Sequence, residues 1–484
     1  MKSSTPKHYK DGLDILACKI LVWEPANKNV IDKNDPSPDK CLTIRECESI
    51  EIEESYKKLI GTASVRFPRG TIIKRTLTKN DLEEDGTTNV YTERLQDGTI
   101  TEKRSGSSTA TPKDFKVGQR IRIYLTYYRN KTGAYETDED RQKNIDELFD
   151  KMTPQFDGYI VKCSVSTPIE LKCENLASNL KRKNCRKITT GNNATVNDFL
   201  KDGGKYNLLK GTGLKLHPDT ANISINIGKI QLSEDLTVAD LLTEWSKYKL
   251  YCFLRPDKDG NPCVKVGRSY FSTKTAESIV NNDKSLEPKI IQFDYHVASD
   301  NLKLMHTDPK YLAVSAEGFK FEGKGKNQKE IKYSITIRLN PEWTGPNDTK
   351  HKKFQLLNET KLSKKAMKLG AVKKSQTKDH VDLSQYTVIP FTSSKIGITE
   401  EGLIKEAEAY FEGYNMNGIE GTITLFGDYN DLESGEKVEV LDVRQPEKNG
   451  YYLVEEVNTK FGTDGYRQTI KLPYCIARPE KEDK

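Results

Sequence analysis

Two stretches of the sequence follow one pattern: Asp114-Phe115-Lys116-Val117-Gly118-Gln119-Arg120-Ile121-Arg122-Ile123 and Asp431-Leu432-Glu433-Ser434-Gly435-Glu436-Lys437-Val438-Glu439-Val440. In both, a turn glycine precedes a strand with alternating apolar residues. Each is followed by a second strand that begins with glycine and tyrosine, Gly158-Tyr159 in one case and Gly450-Tyr451 in the other. A match over two successive strands indicates an internal duplication, which we interpret as two related β-barrels.

The duplication predicts which side chains are buried. Alternate residues of a strand point to opposite faces of the sheet. We therefore expect Ile121 and Ile123 to face one core as Val438 and Val440 face the other, with Arg122 and Glu439 pointing outward.

The rest of the pattern predicts a mainly β protein with an α+β part. We expect a first β-barrel domain at 1–178, a small α/β domain at 179–288, a second β-barrel domain at 289–475 and a charged tail at 476–484. In the middle domain, Thr237 can cap a helix whose Val238, Leu241, Leu242, Trp245 and Tyr248 lie on one face.

Two segments depart from this pattern. Residues 76–113 are polar with few apolar positions, which indicates an insertion or an extended hairpin that gains order against a partner. Residues 341–386 form a second, basic insertion, and the part from Lys350 to Asp379 carries ten lysines. A helix at about 400–414 follows, with Leu403 and Phe411 among its buried residues.

Composition places the chain broadly and does not assign a function. A length of 484 residues favours two to four domains, and a net charge of +6 is too small to indicate nucleic-acid binding by itself. The nine cysteines are dispersed, which is typical of reduced thiols, and we expect Cys163 and Cys173 to lie inside a sheet. The sequence predicts no membrane span and no export signal.

We find no motif for catalysis, nucleotide binding or metal binding, and therefore predict no catalytic, cofactor-binding or metal-binding residues. The six histidines are scattered. Asp257-Lys258-Asp259-Gly260-Asn261 resembles the start of a calcium loop, but no closing glutamate follows, so a hairpin turn is the better interpretation.

Two basic clusters leave an alternative open. Residues 181–187 contain five lysines and arginines, and the 350–379 segment is the second cluster. Either could face a polyanion such as DNA, although solvated surface is the simpler interpretation. Neither cluster interleaves aromatic residues for base stacking.

Several strand motifs resemble the baseplate hub proteins of bacteriophages, also called late-control tail proteins, which are related to the hub part of spike proteins in contractile injection systems. In the first half the resemblance lies in Phe115 to Tyr124, Phe156 to Val161 and Pro168 to Asn175. In the second half it is more specific and covers Gly418 to Gly427, Asn449 to Val454 and Phe461 to Leu472. It fails at 76–113 and at 341–386.

The resemblance implies a structural protein. Such hubs form homotrimers in which two barrels per subunit make a pseudo-sixfold ring, joining the sixfold tail tube to a threefold spike or fibre apparatus. The expected partners are a tube or distal tail protein on one side and spike or receptor-binding fibre proteins on the other. A tape-measure protein and DNA passing through the lumen are further partners. The resemblance also implies a location in the virion tail baseplate, after synthesis in the host cytoplasm.

Two other classes of function remain as alternatives. One is a tail-associated cell-wall hydrolase, which would need a compact acid, Cys/His or metal cluster. The other is a DNA-binding accessory protein that uses the lysines of 350–379, which would show steeply salt-dependent duplex binding.

Overall fold

The computed structural model describes residues 14–25, 31, 41–76, 89–94, 100–129, 137–191, 194–222, 225, 227, 230–232, 234–246, 250–268, 288–305, 309–322, 329–365, 383–396, 398–415, 418–427, 432–473 and 475–477. The expected tail at 476–484 therefore lies almost entirely outside the described residues.

The first part of the chain is built from strands and one helix. Its elements are β1 Asp14–Trp23, β2 Leu42–Ile44, β3 Ser49–Ser55, β4 Thr62–Phe67, β5 Ile72–Thr76, β6 Asn89–Arg94, β7 Ile100–Thr109, β8 Arg120–Arg129, α1 Asp138–Asp150, β9 Phe156–Cys163 and β10 Ile169–Asn175.

The middle part mixes short helices and strands. Its elements are β11 Ile188–Thr189, α2 Val196–Leu200, β12 Lys215–Leu216, α3 Pro218–Ala221, β13 Gln231–Leu232, α4 Val238–Trp245, β14 Leu250–Pro256 and β15 Pro262–Arg268.

The last part returns to strands. Its elements are β16 Lys289–Gln292, α5 Phe293–His296, β17 Val297–Asp300, β18 Lys303–Met305, β19 Leu312–Glu322, β20 Lys329–Leu339, β21 Phe354–Lys365, β22 Thr387–Ile396, α6 Glu400–Asn415, β23 Gly418–Phe426, β24 Lys437–Leu441, β25 Gly450–Leu453, β26 Glu456–Gly462, β27 Gly465–Leu472 and β28 Cys475–Ala477.

The expectation of a mainly β fold with an α+β part is confirmed. The largest sheet runs in the order β17-β23-β27-β26-β3-β4-β10-β9-β8-β1-β2-β5-β7-β6, with β18 also pairing with β23. No sheet within the described ranges closes on itself, so two closed barrels are not confirmed. Instead, the pairing of β3 with β26 joins strands from both ends of the chain into one continuous sheet.

The core of the middle part contains the buried face of α4 and also takes in residues of the first part, such as Leu59 and Tyr159. The helix begins at Thr237, whose hydroxyl accepts a hydrogen bond from the Asp240 amide at 3.1 Å, while the Asp240 carboxylate accepts one from the Thr237 amide at 3.2 Å. This capping box satisfies two amides that would otherwise lack partners at the helix start. The face predicted to be buried is buried at Val238, Leu241, Leu242 and Trp245, while Tyr248 lies outside the described residues.

The two unusual segments contain strands where the structure describes them. In 76–113, β6 and β7 pair antiparallel from Asn89↔Ser105 to Arg94↔Ile100, which corresponds to the hairpin alternative. In 341–386, β21 pairs with β20 and extends a sheet ordered β21-β20-β19-β22. The helix α6 packs on this sheet and shares a core with it. The lysines at 366–382 lie outside the described residues.

Candidate assembly site: a duplicated sheet and the junction between its copies

The Gly118 turn in the first half is fixed by four hydrogen bonds. The Gly118 amide donates to the Ile160 carbonyl at 2.8 Å, and the Ile160 amide donates to the Gln119 carbonyl at 2.9 Å. The Gln119 amide donates to the Lys116 carbonyl at 3.2 Å, and the Gln119 side-chain oxygen accepts from the Lys116 amide at 2.8 Å. These bonds position the turn on the strand opposite it.

The Gly435 turn in the second half repeats all four. Gly435 donates to the Val454 carbonyl at 2.7 Å, and Val454 donates to the Glu436 carbonyl at 2.8 Å. The Glu436 amide donates to the Glu433 carbonyl at 3.3 Å, and the Glu436 carboxylate accepts from the Glu433 amide at 3.1 Å. Both glycines have positive φ, +94° and +81°, a region that other residues rarely adopt. The turns are therefore structurally equivalent.

The equivalence extends to five strands in each half. The first half has the order β3-β4-β10-β9-β8. The second has β17-β23-β27-β26, and β25, which runs directly into β26, pairs with β24, so that β25 and β26 together correspond to the single strand β9. Both sets are antiparallel throughout and follow the same sequence of connections. This is the duplication indicated by the glycine motifs.

Equivalent core positions are buried alike. The pairs equated by the registers are Ile121 with Val438, Ile123 with Val440, Ile160 with Val454, Val65 with Ile423 and Leu171 with Ile470, and all ten residues are at most 1% exposed. The prediction for Ile121, Ile123, Val438 and Val440 is confirmed, and Arg122 and Glu439 lie on the opposite, partly exposed face.

The sequence alignment of the second strand is wrong by two residues. Because Ile160 is equivalent to Val454, Gly158 corresponds to Tyr452 and not to Gly450. An added Cβ at Gly158 would lie 2.1 Å from the Glu174 carbonyl oxygen, so this glycine serves a close backbone approach specific to the first half.

The outward faces of the two hairpins differ chemically. In the first half, Arg120 and Arg122 both bind Asp157, at 2.8 Å and 2.7 Å, and both stack on Trp23. In the second half, the equivalent face carries Lys437 stacked on Tyr451 beside Glu439. The two copies therefore have the same backbone arrangement and the same pattern of buried residues, but their outward faces carry different charged side chains.

The two halves meet where β3 pairs with β26, from Ser49↔Gly462 to Ser55↔Glu456. A small buried cluster lies beside this pairing and joins all three parts of the chain. It contains Tyr56 from the first part, Tyr251 and Phe253 from the middle part and Leu453 from the last part.

Glu455 is the buried charge at this junction. Its side chain is 5% exposed and pairs with Lys471 at 2.8 Å and with Lys57. Its carbonyl also accepts hydrogen bonds from the Tyr56 amide and the Ser55 hydroxyl. Burial raises the pKa of Glu455, but the two lysines outweigh burial and hold the pKa below its ordinary value.

Arg255 connects the middle part to the Gly435 turn. Its guanidinium pairs with Glu433 at 3.0 Å and with Glu436 at 3.1 Å, and it donates to the Gly435 carbonyl at 3.4 Å. Lys289 also pairs with Glu436, at 3.1 Å. The Gly435 turn is therefore held by Arg255 and Lys289, which both lie outside the repeated strands.

Glu54 lies beside these charges on β3. Burial, and then the nearby Glu433 carboxylate, raise its pKa to about 7, while Arg255 opposes the rise. A carboxyl group whose pKa is raised on folding stabilises the folded state less as the pH rises from its ordinary pKa toward the raised one.

We predict that Glu54→Gln is more stable than the wild type at pH 8, by roughly 1–3 kcal/mol, and equally stable near pH 4. The reason is that Glu54 must ionise at pH 8 in a half-buried position, which costs free energy, whereas glutamine stays uncharged. Urea unfolding of both proteins across this pH range measures the difference. Equal stability at both pH values would show that Glu54 titrates normally.

The calcium-like stretch singled out in the sequence is a turn. The Asp257 carboxylate accepts hydrogen bonds from the amides of Asp259 and Asn261, so the calcium-like stretch is the hairpin turn between β14 and β15. In the part of the chain that is described, no three His, Cys, Asp or Glu side chains are grouped so as to hold a metal ion. No helix there is both long and apolar enough to cross a membrane.

Three basic residues of these clusters have partners within the chain. Lys181 binds Glu174 at 2.7 Å, Arg182 stacks on Tyr159, and Lys353 binds Glu412 at 2.6 Å. Of the two cysteines expected inside a sheet, Cys173 is buried in β10 and Cys163 is half-buried in the neighbouring strand β9.

Comparisons with known proteins give matches among solved structures. No family model and no curated protein matches the chain. By structure, the chain is similar to phage tail proteins. A tail protein from Neisseria meningitidis is 12% identical, with a TM-score of 0.44, over 96% of this chain and 99% of that one. A prophage tail protein from Shewanella oneidensis is 11% identical, with a TM-score of 0.44, over 94% and 98% of the two chains.

A third match lies in a secretion system. It is an Escherichia coli component of the type VI secretion system, described as similar to tail proteins of bacteriophage T4. Its identity to this chain is 8% and the TM-score is 0.39, over 90% of this chain and 74% of that one.

Proposed function

We infer that the chain is a structural hub of a phage tail baseplate or of a phage-like injection device. In this proposal three copies form a ring that adapts the sixfold tail tube to a threefold spike or fibre apparatus and leaves a channel for cargo. The protein has no catalytic role in it, and its place is the virion tail.

The observation that carries the proposal is the duplicated five-strand sheet with its two equivalent glycine turns. One chain with two equivalent units can meet two identical neighbours in the same way. Three such chains in a ring offer six equivalent sites, which is the number that a sixfold tube needs. The proposal keeps the expected domains at 1–178, 179–288 and 289–475.

The rigid junction between the halves also supports an adaptor. The β3–β26 pairing, the Tyr56 cluster and the buried Glu455 fix the two units relative to each other. A fixed angle between the units is what a closed ring requires. The proposed partners are a tube or distal tail protein on one face and spike or receptor-binding fibre proteins on the other, with a tape-measure protein and DNA in the channel.

Measurement of the mass of the purified chain, followed by electron microscopy, tests this proposal. We expect particles of three copies with a central hole and binding of a sixfold tube to one face. A different number of copies in the assembled particle would contradict it. Cell-wall cleavage abolished by a single point substitution would favour the hydrolase alternative, and steeply salt-dependent binding of DNA duplexes would favour the accessory protein.

A further inference from the structure

The duplication leaves one half of the molecule with an uncovered surface at a place that is covered in the other half. In the second half, β26 continues beyond the Gly435 hairpin, and its outer edge pairs with β3 of the first half. The corresponding part of the first half is the end of β9 and the residues after it, Val161 to Val165.

The exposures of equivalent residues show the difference. Glu455, just before β26, and Thr459 on β26 are each 4% exposed, and β3 is the neighbouring strand along this edge. The registers equate Lys162 with Glu456 and Cys163 with Val457, which places Val161 at the position of Glu455 and Val165 at that of Thr459. Val161 is 40% exposed and Val165 is 88% exposed. Two apolar side chains are therefore exposed at positions whose equivalents in the other half lie beside a paired strand.

The chain also contains an uncovered copy of the strand that provides this cover. The repeat equates β3 with β17 and β18, since each lies at the outer edge of its unit against β4 or β23. On its other edge β3 pairs with β26, whereas β17 and β18 pair only with β23 within the described ranges. An edge strand with unpaired backbone groups is a template for another chain.

We propose that the β17–β18 edge of one copy of this chain docks on Val161 to Val165 of a second copy. The contact between copies would repeat the β3–β26 pairing within the chain. By this equivalence Lys303 lies opposite Ser164, and Leu302 lies opposite Val165. The proposal deepens the proposed function, on which it rests, because it names the contact that would close the ring.

The surface is too small and too interrupted to join with an arbitrary partner. The β9–β10 hairpin ends near Ser164, whose amide donates to the Glu170 carbonyl at 2.8 Å, so only a short strand end is free. A second copy fits it because its β17–β18 edge is equivalent to β3, which already pairs at this position and in this register within each chain. The interface joins different patches of the two copies, as ring closure requires.

A photo-crosslinking residue placed at Val165 tests which segment docks there. We expect crosslinked oligomers in which mass spectrometry places the bond in the peptide containing residues 299–305 of another copy. A bond to any other segment of the chain would overturn the proposal. A wild-type chain that stays monomeric even at millimolar concentration would overturn it as well.

Aspartate substitutions supply the second readout. Val161→Asp and Val165→Asp together should weaken self-association at least tenfold, measured by sedimentation, and leave the monomer folded because both side chains are exposed. Val443→Asp is the matched control, since Val443 is 85% exposed and lies elsewhere. Unchanged association in the double variant would refute this contact while leaving a trimeric hub possible. If the double variant loses self-association but the wild-type particle does not contain three copies, the contact is supported and the trimeric hub is refuted.

Discussion

Val440→Asp is expected to unfold the second half of the chain and to abolish assembly. Val440 is fully buried in the core that β24 shares with β23 and β27. The change removes about 1.5–3 kcal/mol of apolar burial and places an unpaired carboxylate in an apolar core, so the total loss should exceed about 4 kcal/mol. Chemical denaturation and sedimentation of the purified variant measure both effects.

The same chain provides a matched control for this variant. Val443→Asp introduces the same group three residues later, where the side chain is exposed, and should change the free energy of unfolding by less than about 0.5 kcal/mol. Ile123→Asp should reproduce the effect of Val440→Asp in the first half, because the two positions are equivalent. A folded, assembling Val440→Asp protein would show that these strands do not form the core described.

Glu455→Ala is expected to give the second-largest effect, a loss of about 1.5–3 kcal/mol. The reason is that the substitution removes a buried carboxylate that accepts a hydrogen bond from Lys471 at 2.8 Å and pairs with Lys57, while both lysines are themselves partly exposed. Because the pKa of Glu455 is lowered on folding, its stabilisation is present above its ordinary pKa and is lost as the pH falls through the lowered value. The loss on substitution should therefore shrink in acid.

The control for Glu455→Ala is Glu51→Ala in the same pair of strands. Glu51 pairs with Lys460 at 3.2 Å, and both side chains are at least half exposed. An exposed pair contributes about 0–1 kcal/mol. Urea titrations of the two variants at pH 7 and pH 4 compare them. Equal losses for the two variants would mean that Glu455 is no more important than a surface ion pair.

The sequence predicts the repeated turns well because each depends on local chemistry. A turn glycine followed by a strand of alternating apolar residues can be recognised within ten residues of sequence. This pattern occurs at both Gly118 and Gly435. The burial of Ile121 and Val438 follows from the same alternation. The α4 helix is predicted for a similar reason, since Thr237 and Asp240 form their cap within one turn.

What the sequence does not predict depends on contacts between distant residues. The pairing of Ile52 with Thr459 and the burial of Glu455 join residues about 400 positions apart, and no local pattern distinguishes Glu455 from its partly exposed neighbour Glu456. The two-residue error at Gly158 has the same origin. A glycine followed by tyrosine looked equivalent in the two halves, but the strand opposite it determines the register.

The two insertions, one in each half, connect to the repeated strands at opposite ends of those strands. In the first half the polar hairpin of β6 and β7 lies between the second and third strands of the repeat, β4 and β8. In the second half the β19–β22 sheet with α6 lies between the first and second strands, beginning after β18 and ending before β23. Successive connections of antiparallel strands alternate between the top and the bottom of a sheet. In a ring of three copies, the β6–β7 hairpins would therefore project from one face of the ring and the β19–β22 sheets from the other. Each face would carry three projections, one per copy, so the two faces of the ring would differ.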